Sequence, residues 1–164
     1  MGKWSRAVAA VLVVVAIGFE LGTWVGPAGR IDGRNEVLAS SATVGQPMYL
    51  GLMTLRAKGS SLHLTGAALV GDRELHAKLF VVDTDATSHQ VGTDSAPLDP
   101  AIVRARHPLT AATVAGRFRW QLVMEVRPDR AGTFHVREVR LSYTTKHRTR
   151  RQVITDAPIR ITAT

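Results

Sequence analysis

The densest group of side chains that could bind a ligand lies near the carboxyl terminus, in the stretch YTTKHRTRRQVIT at residues 143–155. Its basic residues are Lys146, His147, Arg148, Arg150 and Arg151. The next acidic residue is Asp156. A concentration of positive charge attracts phosphate, carboxylate and other anionic groups. The same composition also suits the solvated tip of a β-hairpin, so the stretch predicts either an anion-facing edge or a soluble turn.

Further arginines extend this candidate site. In RFRWQLVMEVR at 117–127, Arg117 and Arg119 alternate with apolar residues and are predicted on the outward face of a strand. Arg140 lies in the following segment, which we expect to pair with that strand. The paired strands would present one basic surface to an anion or a protein partner. The predicted binding residues are Arg117, Arg119, Arg140, Lys146, Arg148, Arg150 and Arg151.

A second candidate site is the longest segment without regular periodicity, residues 83–115. Its candidate ligands for a cation are Asp83, Asp85, His89, Asp94 and Asp99. The EF-hand pattern fails, because Thr87 and Ser88 stand where Asp or Asn and Gly are required. The segment therefore predicts, as an alternative function, an extracytoplasmic site for a metal or small ligand. The competing interpretation is a solvated loop whose side chains bind backbone groups.

Sequence motifs for catalysis are absent from the chain. It contains no G-x-S-x-G, S-x-x-K, H-E-x-x-H or glycine-rich phosphate loop. It also contains no cysteine, which excludes disulfides, thiolate nucleophiles and Cys-based metal sites. His63 and His76 are predicted on outward faces of neighbouring strands, where they lack a third ligand. We predict a non-enzymatic protein with no metal or cofactor.

The composition is that of a folded and basic chain. The 164 residues are enough for one domain of ordinary size and one additional segment. Hydrophobic residues make up 45% of the chain, which is too many for a disordered protein, and the formal net charge is +8. Arginine outnumbers lysine by 17 to 4, as is typical of a high-GC bacterial genome. The arginine excess is therefore an ambiguous sign of binding.

Residues 1–26 are predicted to be an N-terminal transmembrane signal anchor. Lys3 and Arg6 precede a mostly apolar run at 7–25, interrupted by Glu20 near its outer end. That run is long enough to span a bilayer, and the positive-inside rule places the amino terminus in the cytoplasm. No A-x-A site or lipobox cysteine follows it. These features favour an uncleaved single-pass anchor over the alternative, secretion after cleavage.

The rest of the chain is predicted to be a linker, 27–46, and an extracytoplasmic all-β domain, 47–164. The linker is small, polar and aperiodic. The domain is expected to be an antiparallel β-sandwich of about seven strands, because period-two alternation recurs along it. The alternating runs are 49–57, 62–70, 73–83, 117–127, 133–143, 150–155 and 159–162.

Local signals refine this prediction. Gly71 and Asp72 suggest a hairpin between 62–70 and 73–83. A change of phase at 137–138 predicts a β-bulge, and Asp99 followed by proline predicts a short helix over 99–106. In the run 62–70, the residues predicted to face inward are Leu62, Leu64, Gly66, Ala68 and Val70.

One part of the chain resembles a known superfamily. The residues that carry the resemblance are Trp120, a P-D-x-x-G turn at 128–132, Phe134, and the closing residues Val139, Leu141 and Tyr143. They resemble the later half of immunoglobulin-like and fibronectin-III-like modules of bacterial surface proteins, although the immunoglobulin cysteines are missing. The resemblance implies a fold and no activity. We expect an interaction or accessory module of the cell envelope, whose partner is an envelope protein or an anionic surface and not nucleic acid.

Overall fold

A computed structural model describes residues 30–32, 39–58, 61–72, 75–87, 90–95, 97–115, 120–146, 148–154 and 158–164. The strands in these segments are β1 (Arg30–Asp32), β2 (Ala39–Ala42), β3 (Met48–Lys58), β4 (Leu62–Gly71), β5 (Leu75–Asp83), β6 (Thr93–Ser95), β7 (Arg106–His107), β8 (Thr113–Val114), β9 (Trp120–Pro128), β10 (Gly132–Thr144), β11 (Thr149–Val153) and β12 (Ile159–Ala163). A short helix, α1 (Pro100–Arg104), and a 3₁₀ turn (Leu109–Ala111) accompany them.

The strands form two six-stranded sheets that enclose a common core. In sheet 1 the order is β1-β3-β9-β5-β7, with β6 also beside β3. In sheet 2 the order is β2-β12-β10-β4-β8, with β11 also beside β10. The described neighbours are antiparallel except β2 and β12, which run parallel. The all-β architecture predicted from the alternation is confirmed.

No helix in the described part of the chain combines the length and apolar character needed to cross a membrane. The anchor predicted at residues 1–26 lies outside the described residues.

All seven predicted strands are present, as β3, β4, β5, β9, β10, β11 and β12. The other described strands have two to four residues each, too few for a period-two pattern to be recognised. Two of them, β1 and β2, lie within the segment 27–46. The linker prediction is therefore wrong for residues 30–32 and 39–42, which add strands to both sheets.

Two pairs of successive long strands that were expected to form hairpins lie in different sheets. β4 belongs to sheet 2 and β5 to sheet 1, while β9 belongs to sheet 1 and β10 to sheet 2. The predicted pairings of β4 with β5 and of β9 with β10 are therefore wrong. Asp72 gives the physical reason at the first crossing, because its N–H donates to the His135 carbonyl at 3.0 Å and its Oδ2 accepts from the His135 N–H at 2.8 Å. The chain is thus held on β10 and leaves for sheet 1 without folding back on β4.

The phase of β10 and β4 shifts along their length. The β10 register shifts between Val136 and Glu138, which confirms the predicted bulge. A second shift lies between Ser142 and Tyr143 and reverses which face of the sheet the side chains of the later half of β4 occupy. Leu62 and Leu64 face the core as expected, but Ala67 and Leu69 then follow them. The inward orientation predicted for Gly66, Ala68 and Val70 is therefore wrong.

A second apolar layer covers part of the outer face of sheet 1. Its residues from sheet 1 are Phe80, Val82 and Val123. Its residues from the segment that follows β5 are Val91, Leu98, Ile102 and Ala105. The predicted helix is confirmed as α1, with Asp99 Oδ1 accepting from the Ala101 N–H at 2.6 Å and Pro100 in the first turn. The part of the segment 83–115 that contributes to this layer is packed structure, not a solvated loop.

Gln121 fixes this layer to the sheet. Its side chain is buried on the outer face of β9, where Oε1 accepts from the Val91 N–H and Nε2 donates to the Val91 carbonyl, both at 2.8 Å. Gly51 lies beneath the same contact and donates its N–H to the Gly92 carbonyl at 2.8 Å. A Cβ on Gly51 would stand 1.8 Å from the Val91 oxygen and 2.5 Å from Gln121 Nε2. The close approach of the loop to β3 therefore requires glycine.

The substitution Gly51→Ala is expected to destabilise the full-length chain by about 1–3 kcal/mol, since the added methyl group pushes the Val91 backbone away from Gln121. Urea unfolding monitored by tryptophan fluorescence measures the change. Gly66→Ala is the matched control, because a Cβ on Gly66 has no neighbour within 4 Å. Equal stability of the two variants would contradict the account of the Gln121 contact.

Candidate functional site

The basic stretch near the carboxyl terminus forms the predicted hairpin. β10 and β11 pair antiparallel from Thr144 opposite Thr149 to Arg140 opposite Val153. Thr145 closes the turn, because its N–H donates to the Arg148 carbonyl at 2.8 Å and its Oγ1 accepts from the Arg148 N–H at 3.2 Å. Lys146 and Arg148 are exposed at the tip. The described part of the tip thus presents two cations on a hydrogen-bonded turn.

The basic side chains of the hairpin point to different sides of sheet 2. Arg151 is opposite Ser142 and shares the outer side of sheet 2, whereas Arg150 is opposite the buried Tyr143 and is half-buried on the inner side. The sequence cluster therefore does not form one surface. Its exposed members divide between the tip and the outer face, and His147 lies outside the described residues.

The outer face of sheet 2 carries most of the remaining positive charge of that sheet. We call it the basic face, and its basic residues are His135, Arg137, Arg140, Arg151 and Arg160. In the described strands its acids are Glu138 and, at one end, Asp72. Arg140 is held by Glu138, whose Oε2 accepts from both Nε and Nη2 at 2.7 Å. The face is thus basic, and Arg140 is already paired with Glu138.

Small side chains separate these charges. Gly66, Ala68 and Ser142 occupy the centre of the basic face, beside the exposed Val153, which is 49% accessible. No side chain meets an added Cβ at Gly66 within 4 Å. The centre of the face is therefore flat, and no segment of the described chain packs over it as the second apolar layer packs over sheet 1.

The described residues of β9 and β10 do not form the single basic surface that was expected from them. Because these strands belong to different sheets, their outward residues lie on opposite sides of the molecule. Arg127 of β9 is opposite His76 on sheet 1, far from Arg140 on sheet 2. Arg117 and Arg119 lie outside the described residues. Binding by the predicted arginines stays a prediction, with Arg140, Lys146, Arg148 and Arg151 on the side of sheet 2.

The histidine pair is also separated. His63 is exposed on β4 of sheet 2, where its Nδ1 lies 3.4 Å from Thr113 Oγ1, while His76 is exposed on β5 of sheet 1. Their predicted proximity depended on a β4–β5 hairpin and is wrong. The described residues contain no group of three or more His, Asp or Glu side chains arranged to hold a metal ion.

Two carboxylates of the segment 83–115 bind backbone groups. Asp83 Oδ1 accepts from the Asp85 N–H at 2.9 Å, and Asp99 caps α1. His89 lies outside the described residues, and the side chain of Asp94 is also outside them. The described geometry therefore favours the capping interpretation for Asp83 and Asp99, and the cation site remains a prediction.

A shallow groove of about 400 Å³ on sheet 1 was not predicted from the sequence. It lies beside β5 and β7, is called the edge groove below, and is lined by Lys78, Leu79, Phe80, Val103, Arg106, His107 and Pro108. The Arg106 guanidinium carbon stands 4.0 Å from the centre of the Phe80 ring, and its Nη2 is 3.0 Å from Glu125 Oε2. The signal for it was the run LFVVD, whose apolar residues on both parities indicate burial on both faces.

No protein-family model matches the chain, and no curated protein matches it significantly. Function must therefore be inferred from these surfaces.

Gln152 joins the hairpin to β1 and provides a test of the hairpin geometry. Its Nε2 donates to the Ile31 carbonyl at 2.7 Å, and its Oε1 accepts from the Ile31 N–H at 3.0 Å. Gln152→Met keeps the volume but removes both bonds, so we expect a loss of about 1–3 kcal/mol in unfolding free energy. Hydrogen exchange of the Ile31 amide should accelerate in the same variant. Val153→Thr is the neighbouring control, and an Ile31 amide that exchanges equally in both variants would refute this contact.

Proposed function

We propose that the chain is a membrane-anchored, extracytoplasmic interaction module of the bacterial cell envelope, without enzymatic activity, that binds an acidic partner protein through the basic face. The observation that carries the proposal is the unequal cover of the two sheets. The outer face of sheet 1 is partly filled by the second apolar layer. The outer face of sheet 2 bears four arginines around a flat centre, with no described segment across it.

The basic face has the properties that suit a protein surface. Its small central residues permit close approach of a flat partner, and arginine forks bind carboxylates with two parallel hydrogen bonds. The Glu138 contact holds Arg140 in position while leaving its side chain 52% exposed. Lys146 and Arg148 at the tip add positive charge beside this face, which would accelerate the approach of an acidic partner.

The order of the strands supports the further proposal of an immunoglobulin-like fold. β1-β3-β9-β5 follows the A-B-E-D order of that fold, and β12-β10-β4 follows its G-F-C order. The P-D-x-x-G turn then corresponds to the crossing from E to F. One difference weakens the comparison. Trp120 lies on the E-like strand and is only partly buried, whereas the immunoglobulin tryptophan lies on strand C. Such a fold implies a scaffold for recognition and no particular chemistry.

Charge reversal tests the basic face as a binding surface. Arg137→Glu with Arg160→Glu changes the face, and Lys146→Glu with Arg148→Glu changes the tip. Full-length variants, cross-linked in cells and isolated from membranes, should lose a specific co-purified protein by at least about tenfold when the face is reversed, since like charges now oppose the partner. Quantitative mass spectrometry of the cross-linked material measures the loss.

Arg56→Glu with Arg104→Glu is the matched control, because both residues are exposed on the side of sheet 1 and the net charge changes equally. Loss of the same protein in the control would mean that total charge, not the basic face, determines binding. Loss with the tip variant alone would move the site to the hairpin turn. Retention in all three variants would refute the proposal.

The proposed topology makes a separate prediction. Alkaline phosphatase fused after Thr164 should be active, since it folds only outside the cytoplasm, and the protein should remain in the membrane fraction after carbonate washing. Its intact mass should include residues 1–26. A mature amino terminus beyond residue 26, with release of the protein into the medium, would support the alternative of a cleaved signal peptide.

A further inference from the structure

β5 has an open edge in sheet 1. It pairs with β9 from Leu75 to Asp83, but with β7 only at Val81 and Val82. β7 ends at His107, and the chain then enters the 3₁₀ turn at Leu109–Ala111 and does not continue as a strand beside β5. Within the described chain no other strand lies beside residues 75–80 on that side. Within the described chain, residues 75–80 of β5 are therefore paired with β9 on one side and have an open edge on the other side.

The hydrogen-bonding groups at this edge can be assigned. The Asp83 N–H donates to the Ala105 carbonyl on the β7 side at 3.0 Å. Backbone groups point alternately to the two sides of a strand, and the β5–β9 register has no shift. The N–H and C=O groups of Ala77 and Leu79 consequently point to the open edge. Among the described residues none pairs with them, while the even-numbered residues pair with β9.

The edge groove lies next to these backbone groups. Leu79 lines it from the edge, and Phe80 and Lys78 line it from the outer face of the sheet. Val103 of α1 forms an apolar wall and is 54% accessible, one of two exposed large apolar residues in the described chain. An added strand would thus find open backbone partners and an apolar recess for one of its outward side chains.

The charge around the edge limits what can occupy it. Lys78, Arg106, Arg127 and His76 face outward here, and the acid among the described outward residues of these strands is Glu125, which is bound to Arg106 at 3.0 Å. A second copy of the chain, paired through the same edge in a register centred on Lys78, would place two lysines opposite each other. Such like-charged pairs across a ladder are destabilising. An acidic segment is complementary to the same position.

We propose that the open edge of β5 binds an extended acidic segment of a partner protein by β-strand addition. Backbone groups of the segment bond to Ala77 and Leu79, an acidic side chain lies beside Lys78, and an apolar side chain enters the edge groove against Val103. This goes beyond the basic face, since it uses the other sheet and a different kind of contact.

The heptapeptide Thr-Glu-Thr-Val-Thr-Glu-Thr, capped at both ends, is the probe, because its glutamates and its valine lie on one face of an extended strand. In the free full-length protein, the amides of Ala77 and Leu79 should exchange fast and those of Lys78 and Phe80 slowly. Saturating peptide should slow the exchange of Ala77 and Leu79 at least about tenfold, because each gains a backbone acceptor. Peptide N-methylated at alternate residues, and peptide with lysine in place of glutamate, are the chemical controls.

Lys78→Glu should weaken binding of the glutamate peptide about tenfold, whereas Lys146→Glu, an equal charge change at the distant hairpin tip, should not. Unchanged exchange at Ala77 and Leu79 with peptide, equal binding of the lysine peptide, or equal binding of the N-methylated peptide would each overturn the proposal. Protection of these amides by dimerisation without peptide would also overturn it in favour of a second copy. The variant Arg137→Glu with Arg160→Glu should bind the peptide normally, so failure here and failure of the basic face can be distinguished.

Discussion

The contact between the Gln121 amide and the Val91 backbone determines how the two sides of the sandwich differ. In an apolar layer, an unpaired N–H or C=O raises the free energy of the folded state. The Gln121 side-chain amide pairs with both the N–H and the C=O of Val91. The segment after β5 therefore has one favourable position over sheet 1, directly above Gly51. From that position follow the burial of Phe80 and Val123, the placement of α1, and the return of the chain as β7 beside the end of β5.

The alternation of side chains was sufficient to find the long strands, because a half-buried strand must repeat every two residues whatever its neighbour is. The alternation could not predict which strands pair with each other. A run such as 62–70 buries its apolar face equally well in a hairpin or across a sandwich, and the choice depended on Asp72, which bonds to His135 far along the chain. The predicted proximity of His63 and His76 failed with that choice. Short strands such as β7 were missed because two residues carry no period.

Residues that break the period-two alternation were more informative than residues that follow it. Val123, apolar on the outward parity of β9, and the continuous run LFVVD both break the alternation, and both mark the second apolar layer. The change of phase at 137–138 likewise indicated a bulge that the register contains. Gln121 had no such signal, because a glutamine on an outward strand face is usual in a sheet exposed to water. Its burial is a property of the loop above it, which the strand itself does not encode.

The position of β1 has a mechanical consequence. In the described part of the chain, β1 pairs with β3 over three residues, and this ladder is reinforced by Ile31, which is 2% exposed, and by the amide of Gln152. Tension arriving from the amino-terminal side loads these contacts before it reaches β2 and its parallel pairing with β12. Since β1 is the outermost described strand on this side of sheet 1, such a pull would load its three-residue ladder before any of the longer ones.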